Sequence, residues 1–286
     1  MQIRNPIEWA YDQIRLTAQA VGSAGRAVRG AAKDRRAPPA VRRIAVTDLR
    51  DVLARGFDDF GAYRYDVVLL CIIYPVIGLV LARLAAGYDM LPLLFPLASG
   101  FALIGPFAAV GLYEMSRRRE QGIAVTWADA FGVARSPSFA AILLLGLALT
   151  AIFAIWLGAA WGIYAVTLGP EPPASISAFL RDVFTTGMGW AMIIVGVGVG
   201  FLFAVLVLAI SVVSFPLLLD RDVGLATAVR TSVRAVAANP GTMAMWGLIV
   251  AGGLVIGSIP LFVGLAIVLP VLGHSTWHLY RKVVPR

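Results

Sequence analysis

His274 and His278 stand four residues apart near the end of the chain, a spacing that puts both imidazoles on one helical face. Such a pair could hold a metal ion or a haem. No Cys, Asp or Glu lies close in sequence to complete the ligand set, and Trp277, Tyr280, Arg281 and Lys282 surround the pair. That company points to anchoring at a membrane interface, so no metal and no cofactor is expected. An enzyme acting on lipid would need acids and histidines gathered at one interface, and only Glu114, Asp220, Asp222, His274 and His278 are candidates. Gly196-Val197-Gly198-Val199-Gly200 lies in an apolar run without a following GK[ST], which excludes a phosphate-binding loop. The single cysteine, Cys71, sits in another apolar run and can build neither a disulfide framework nor a thiolate metal site. These residues carry no enzyme signature.

The elements that would position them are set by composition. Of the 286 residues, 59% are hydrophobic and 14% charged, and the mean hydropathy is +0.83, beyond what a soluble domain can cover. Runs long enough to cross a hydrocarbon layer of about 30 Å occur at 67–87, 91–115, 139–166, 190–219, 242–257 and 258–279. The last two are separated by Gly257-Ser258-Ile259-Pro260, a tight hairpin signal. The expected fold is an all-α membrane bundle of six transmembrane helices in three hairpins.

Charge distribution orients it. Residues 1–65, Arg117–Arg135, Arg221–Arg234 and Arg281–Arg286 hold 22 of the 24 Lys and Arg, so these segments and both termini are expected on the cytoplasmic side of a bacterial inner membrane. No leading apolar stretch precedes a cleavage site, so the first span is expected to direct insertion. The middles of all six runs are free of charge, which weighs against an ion-coupled carrier.

A threefold pattern subdivides the chain after a basic arm, residues 1–46. In units 47–116, 117–219 and 220–286 an amphipathic interfacial helix precedes a hairpin. The first helix groups Leu49, Val52, Leu53, Gly56, Phe57 and Phe60 opposite Asp48, Arg50, Asp51, Arg55, Asp58 and Asp59. The second groups Trp127, Ala130, Phe131 and Ala134; the third sets Leu225, Val229, Val233 and Val236 against Thr227, Arg230, Thr231 and Arg234. Thr47, Thr126 and Asp222 are the expected caps. On the other side, Ile176, Phe179, Leu180, Val183 and Phe184 form a stripe suited to lie on the outer leaflet.

Two stretches resemble a known family: Phe215-Pro216-Leu217-Leu218-Leu219-Asp220-Arg221-Asp222-Val223, followed by Asn239-Pro240, and Gly273-His274-Ser275-Thr276-Trp277-His278-Leu279-Tyr280-Arg281-Lys282. They are similar to bacterial inner-membrane proteins catalogued as a domain of unknown function of the 2189 type, over residues 45–286. The resemblance implies six helices and brings no activity, though it draws attention to His274, Trp277 and Asp220.

The expected function is that of a non-catalytic accessory or scaffold protein on a larger membrane complex, respiratory or photosynthetic for example. The alternative is a transporter or channel for a small neutral or lipid-like solute. Membrane lipids and another membrane protein complex are the expected partners, and nucleic acid is not. Arg35, Arg36, Arg42, Arg43 and Trp277 are candidate contacts, as are the small-xxx-small pairs Gly158/Gly162 and Gly253/Gly257, which also suit packing within the chain.

Overall fold

The computed structural model describes residues 39–71, 76, 78–80, 83 and 91–286. Most of the first expected span, the arm up to residue 38, and Arg35 and Arg36 lie outside the described residues. The described part is helical: α1 (Asp48–Cys71), α2 (Leu94–Ala108), α3 (Val110–Glu120), α4 (Phe139–Thr167), α5 (Ile176–Thr185), α6 (Gly187–Ser211), α7 (Ser214–Asp220), α8 (Leu225–Ala238), α9 (Pro240–Ser258) and α10 (Leu265–Val283). Among the described residues four segments are long and apolar enough to cross a membrane: Leu91–Glu120, Phe139–Thr167, Gly187–Asp220 and Pro240–Ser258.

The last apolar stretch is divided: Ser258 closes α9, the turn occupies residues 259–264, and α10 (Leu265–Val283) buries its polar second half inside the protein.

The expected interfacial helices differ in register from the sequence reading. In α1 the inward face is Leu49, Val52, Gly56 and Asp59, while Phe57 is 57% exposed. A carboxylate takes the place of an aromatic there because polar partners wait for it. The expected interfacial helix of the second unit is a 3-10 helix, Trp127–Arg135, whose three-residue repeat turns Ala130 and Val133 inward and leaves Phe131 and Ala134 exposed. Asp129 reaches back to the Thr126 N–H at 2.8 Å and hydroxyl at 3.0 Å, fixing its start.

In α8 the buried face is Thr227, Ala228, Thr231, Ser232 and Ala235, while Val233 is exposed. The helix starts after Gly224, not Asp222. Small residues let it lie close to α7: Pro216 cannot bond to the carbonyl of Val212, the helix breaks at Val212–Val213, and the Val213 N–H turns to the Ser232 hydroxyl at 3.2 Å.

Helix α10 packs most extensively on α1. Their crossing depends on Gly56, where an added Cβ would lie 1.9 Å from Ser275 Oγ and 2.9 Å from the Ser275 backbone nitrogen. Gly56→Ala is therefore expected to cost ~1–3 kcal/mol of stability, read as a lower unfolding midpoint in detergent. Adding Ser275→Ala, which removes the nearer atom, should recover part of the loss. A Gly56→Ala protein as stable as the parent would show that the helices do not meet there.

Candidate functional site

The deepest burial lies at the end of the bundle where α1, α3, α7 and α10 converge. Trp277, Tyr280, Phe215, Leu217 and Met115 have essentially no exposure, and a polar network runs among them.

Asp59 is its centre. With 5% exposure, it accepts from Ser116 Oγ at 2.6 Å and His278 Nε2 at 2.9 Å on Oδ2, and from Arg119 Nη1 at 2.5 Å on Oδ1. An ionised carboxylate only accepts, so His278 carries its proton on Nε2. Ser116 spends its one proton on Asp59, so His274 Nδ1, 2.8 Å from Ser116 Oγ, must donate. The other ring nitrogen, His274 Nε2, is buried and has no hydrogen-bond partner.

Burial alone would raise the Asp59 carboxyl. The hydrogen bonds from His278 and Ser116, with the charges of the two imidazoles when protonated, outweigh it and hold the group below the ordinary carboxylate value. A lowered folded value means that the unfolded chain takes up the proton first. The stabilisation from Asp59 is then complete above the ordinary carboxylate value near 3.8 and lost as pH falls through the lower folded one. Unfolding midpoints measured from pH 6 down to pH 3 should fall more steeply for the native chain than for Asp59→Asn; equal slopes would remove Asp59 from that role.

Around this centre, opposite charges meet in sequence. Lys282 bonds Asp51 at 3.0 Å and Asp48 at 3.2 Å. Its ammonium is thereby held above the ordinary lysine value, the Asp51 bond counting most. Glu120 accepts from Trp277 Nε1 at 3.1 Å, Arg281 Nε at 3.1 Å and Arg286 at 2.8 Å. Asp220 accepts from Tyr280 Oη at 2.6 Å and Arg281 Nη1 at 3.2 Å. Glu114 receives Arg117 at 2.7 Å and Arg118 at 2.8 Å.

Asn239, 4% exposed between α8 and α9, clasps the incoming chain. Its Oδ1 accepts the Ile44 N–H at 2.7 Å, and its Nδ2 donates to the carbonyls of Arg42 and Ala235, each at 3.0 Å. Thr242 Oγ1 adds a bond to the Ile44 carbonyl at 2.9 Å.

Several sequence expectations are relocated. Trp277 and Tyr280 are not interfacial anchors: both are buried, because Glu120 and Asp220 satisfy their polar ends. Gly253 and Gly257 receive α10 itself, at Val268 and Leu265, so their contact lies within the chain. Gly158 and Gly162 have open space where a side chain would stand. Arg42 and Arg43 expose their side chains on the clasped segment. Of the five candidate catalytic groups, the network joins the two histidines through Ser116 and Asp59, while Glu114 and Asp220 hold separate arginines. Asp59, Ser116, Arg119 and Glu120 were missed. The one signal for Asp59 was its place in the Leu49–Val52–Gly56 stripe.

Beside His278 a cleft of about 150 Å³ opens, lined by Asp51, Arg55, Glu120, Arg281 and Lys282 among others. It has room for a few waters. Among the described residues no three His, Cys, Asp or Glu side chains are grouped to hold a metal ion.

Long apolar helices closed at one end by a buried, charge-compensated cap define the chain as a multi-helix integral membrane protein. Residues 94–220 match the family model described as "Predicted integral membrane protein (DUF2189)", the family that the sequence resembles. That stretch spans α2 to α7 and contributes Ser116, Arg119, Glu120 and Asp220 to the network; Asp59 and the histidines lie outside it. No curated protein and no solved structure matches the chain.

Proposed function

We propose that this is a non-catalytic accessory or scaffold protein of a bacterial inner membrane, with six membrane-inserted segments and both termini cytoplasmic, held against a larger membrane protein complex. The observation that carries the reading is α6. On one side of it Ile194, Val197, Phe201 and Leu202 are all more than half exposed. A long helix with such an apolar face left open by its own fold is suited to pack on another protein or on lipid. The cap supports a structural role: Ser116, the hydroxyl nearest both a histidine and an acid, is 1% exposed and out of reach of a substrate. The stripe on α5 leaves Ile176, Leu180 and Phe184 exposed, in keeping with a place on the outer leaflet.

The test is extraction in mild detergent followed by native electrophoresis and crosslinking from cysteines placed at Val197 and Phe201. Co-migration with a larger complex, with crosslinks from α6 to one of its subunits, is expected. Migration as a lone monomer or self-oligomer, with no foreign crosslink, would overturn the proposal.

A further inference from the structure

Helices α9 and α10 form a hairpin, and its depth can be read from where it touches its neighbours. Gly247 of α9 faces Leu208 of α6. Outward from that level α6 continues ~32 Å to Gly187, whereas α9 continues only ~16 Å to Ser258. Gly273 of α10 faces Leu112 and Ala109. From there the α2–α3 rod climbs ~30 Å to Leu91, and α10 only ~12 Å to Leu265. The two comparisons use different helices and agree that the hairpin stops about half a bilayer short of its neighbours.

A third contact gives the same depth. Phe262, in the turn, packs against Gly78, which stands in the middle of the apolar stretch 67–87 of the sequence. The base of the hairpin is set back by the polar network. Gly253 packs on Val268 and Leu272, and Gly257 on Leu265, so His274 stands beside the middle of α9. The first half of α9 and the second half of α10 thus belong to the cap, and ~15 Å of hairpin extends beyond it.

The turn has the chemistry of that depth. Residues 259–264 read Ile-Pro-Leu-Phe-Val-Gly without one polar side chain, and Ile259, Leu261 and Val263 are 76%, 71% and 60% exposed. The loop joining α4 to α5 is by contrast Gly-Pro-Glu-Pro-Pro. The turn also satisfies its own backbone: Leu261 N–H bonds Ile259 O at 2.9 Å, Phe262 N–H bonds Ser258 O at 3.1 Å, and Val263 N–H bonds Pro260 O at 3.0 Å. The Ser258 hydroxyl folds back to the Leu254 carbonyl at 2.8 Å. Leu261 and Phe262 accept left-handed backbone (φ 51° and 65°) to do so. Hydrocarbon demands such closure, and water does not.

We infer that the hairpin is re-entrant: α9 and α10 enter from the basic side, turn at 259–264 in the bilayer interior, and return, presenting the tip to lipid acyl chains. The inference refines the last pair of inserted segments and leaves both termini on one side.

Its test uses the full-length chain with Cys71→Ala and single cysteines at Leu261, Glu171 and Arg50, treated from either face with a membrane-impermeant maleimide. Glu171→Cys should label from the outer face and Arg50→Cys from the inner. Leu261→Cys should label at least roughly tenfold more slowly than either, whichever face is treated. A nitroxide on Leu261→Cys in bilayers should collide with oxygen in preference to a water-soluble nickel chelate, which separates immersion from steric shielding. Labelling of Leu261→Cys from the face and at the rate of Glu171→Cys, or preferential contact with nickel, overturns the inference. If Glu171→Cys instead labels from the inner face, the proposed orientation fails while the hairpin is still judged by the Leu261 rate and the nitroxide.

Discussion

Asp59→Ala should destabilise the protein more than any other single substitution in the network. It leaves Ser116, His278 and Arg119 without the carboxylate that all three address. Removing one partner of a buried charged group costs ~3–5 kcal/mol, because the others are left desolvated and unpaired. For a chain of this size that corresponds to an unfolding midpoint lower by roughly 10 °C in detergent. Asp59→Asn, which keeps an acceptor of similar volume but loses the charge facing Arg119, should fall between the two. The physical cause can be separated from the loss of volume. Asp59→Leu combined with Ser116→Ala, His274→Leu and His278→Leu removes the stranded polar groups together and should recover more than half of the lost stability, since an apolar replacement of a buried polar set is often neutral. Arg119 is 37% exposed on its side chain and can turn to water. An Asp59→Ala protein that melts with the parent would show that the carboxylate does not hold the cap together.

Asn239→Ala should produce the second largest effect, of about 3 kcal/mol. The carboxamide satisfies one backbone N–H and two carbonyls, and alanine can replace none of them. The loss should be concentrated where the segment around Ile44 enters the fold. Protease cleavage near Arg42 and Arg43 should therefore accelerate before the membrane helices melt. Asn239→Asp should retain the Ile44 bond but turn a donor into an acceptor facing two carbonyls, and should be no better than alanine. Cleavage near Arg42 and Arg43 at the parent's rate in Asn239→Ala would show that the clasp does not secure the arm.

The helices themselves were legible in the sequence, because unbroken apolar runs in 91–115, 139–166, 190–219 and 242–257 leave a membrane as the only solvent that suits them. What the sequence did not show was which polar groups would be drawn inside. Sequence alone puts Asp59 on a solvated face, since isolated carboxylates are rarely buried. Its partners come from Ser116, Arg119 and His278, distant residues that no local pattern announces. Trp277 and Tyr280 resemble anchors in sequence for the opposite reason: an aromatic beside Arg and Lys is common at a membrane surface, and only the tertiary placement of Glu120 and Asp220 makes it a buried donor. The Asn239-Pro240 breaker was seen as the end of a helix, while its side chain does more than stop one. The two stretches that carried the family resemblance meet in space at Asp220, Tyr280 and Arg281.

The network joins the first described helix to the last, and this orders the birth of the protein. When Asp59 is made, the histidines are still more than two hundred residues from synthesis. At ribosomal rates of about 5–20 residues per second, the carboxylate waits ~10 s or more for them. Through that interval the early helices reside in the membrane with an incomplete cap, held by whatever Ser116 and Arg119 supply once they arrive. A nascent chain that stops before α10 lacks both histidines, and its Asp59 has only Ser116 and Arg119 to meet.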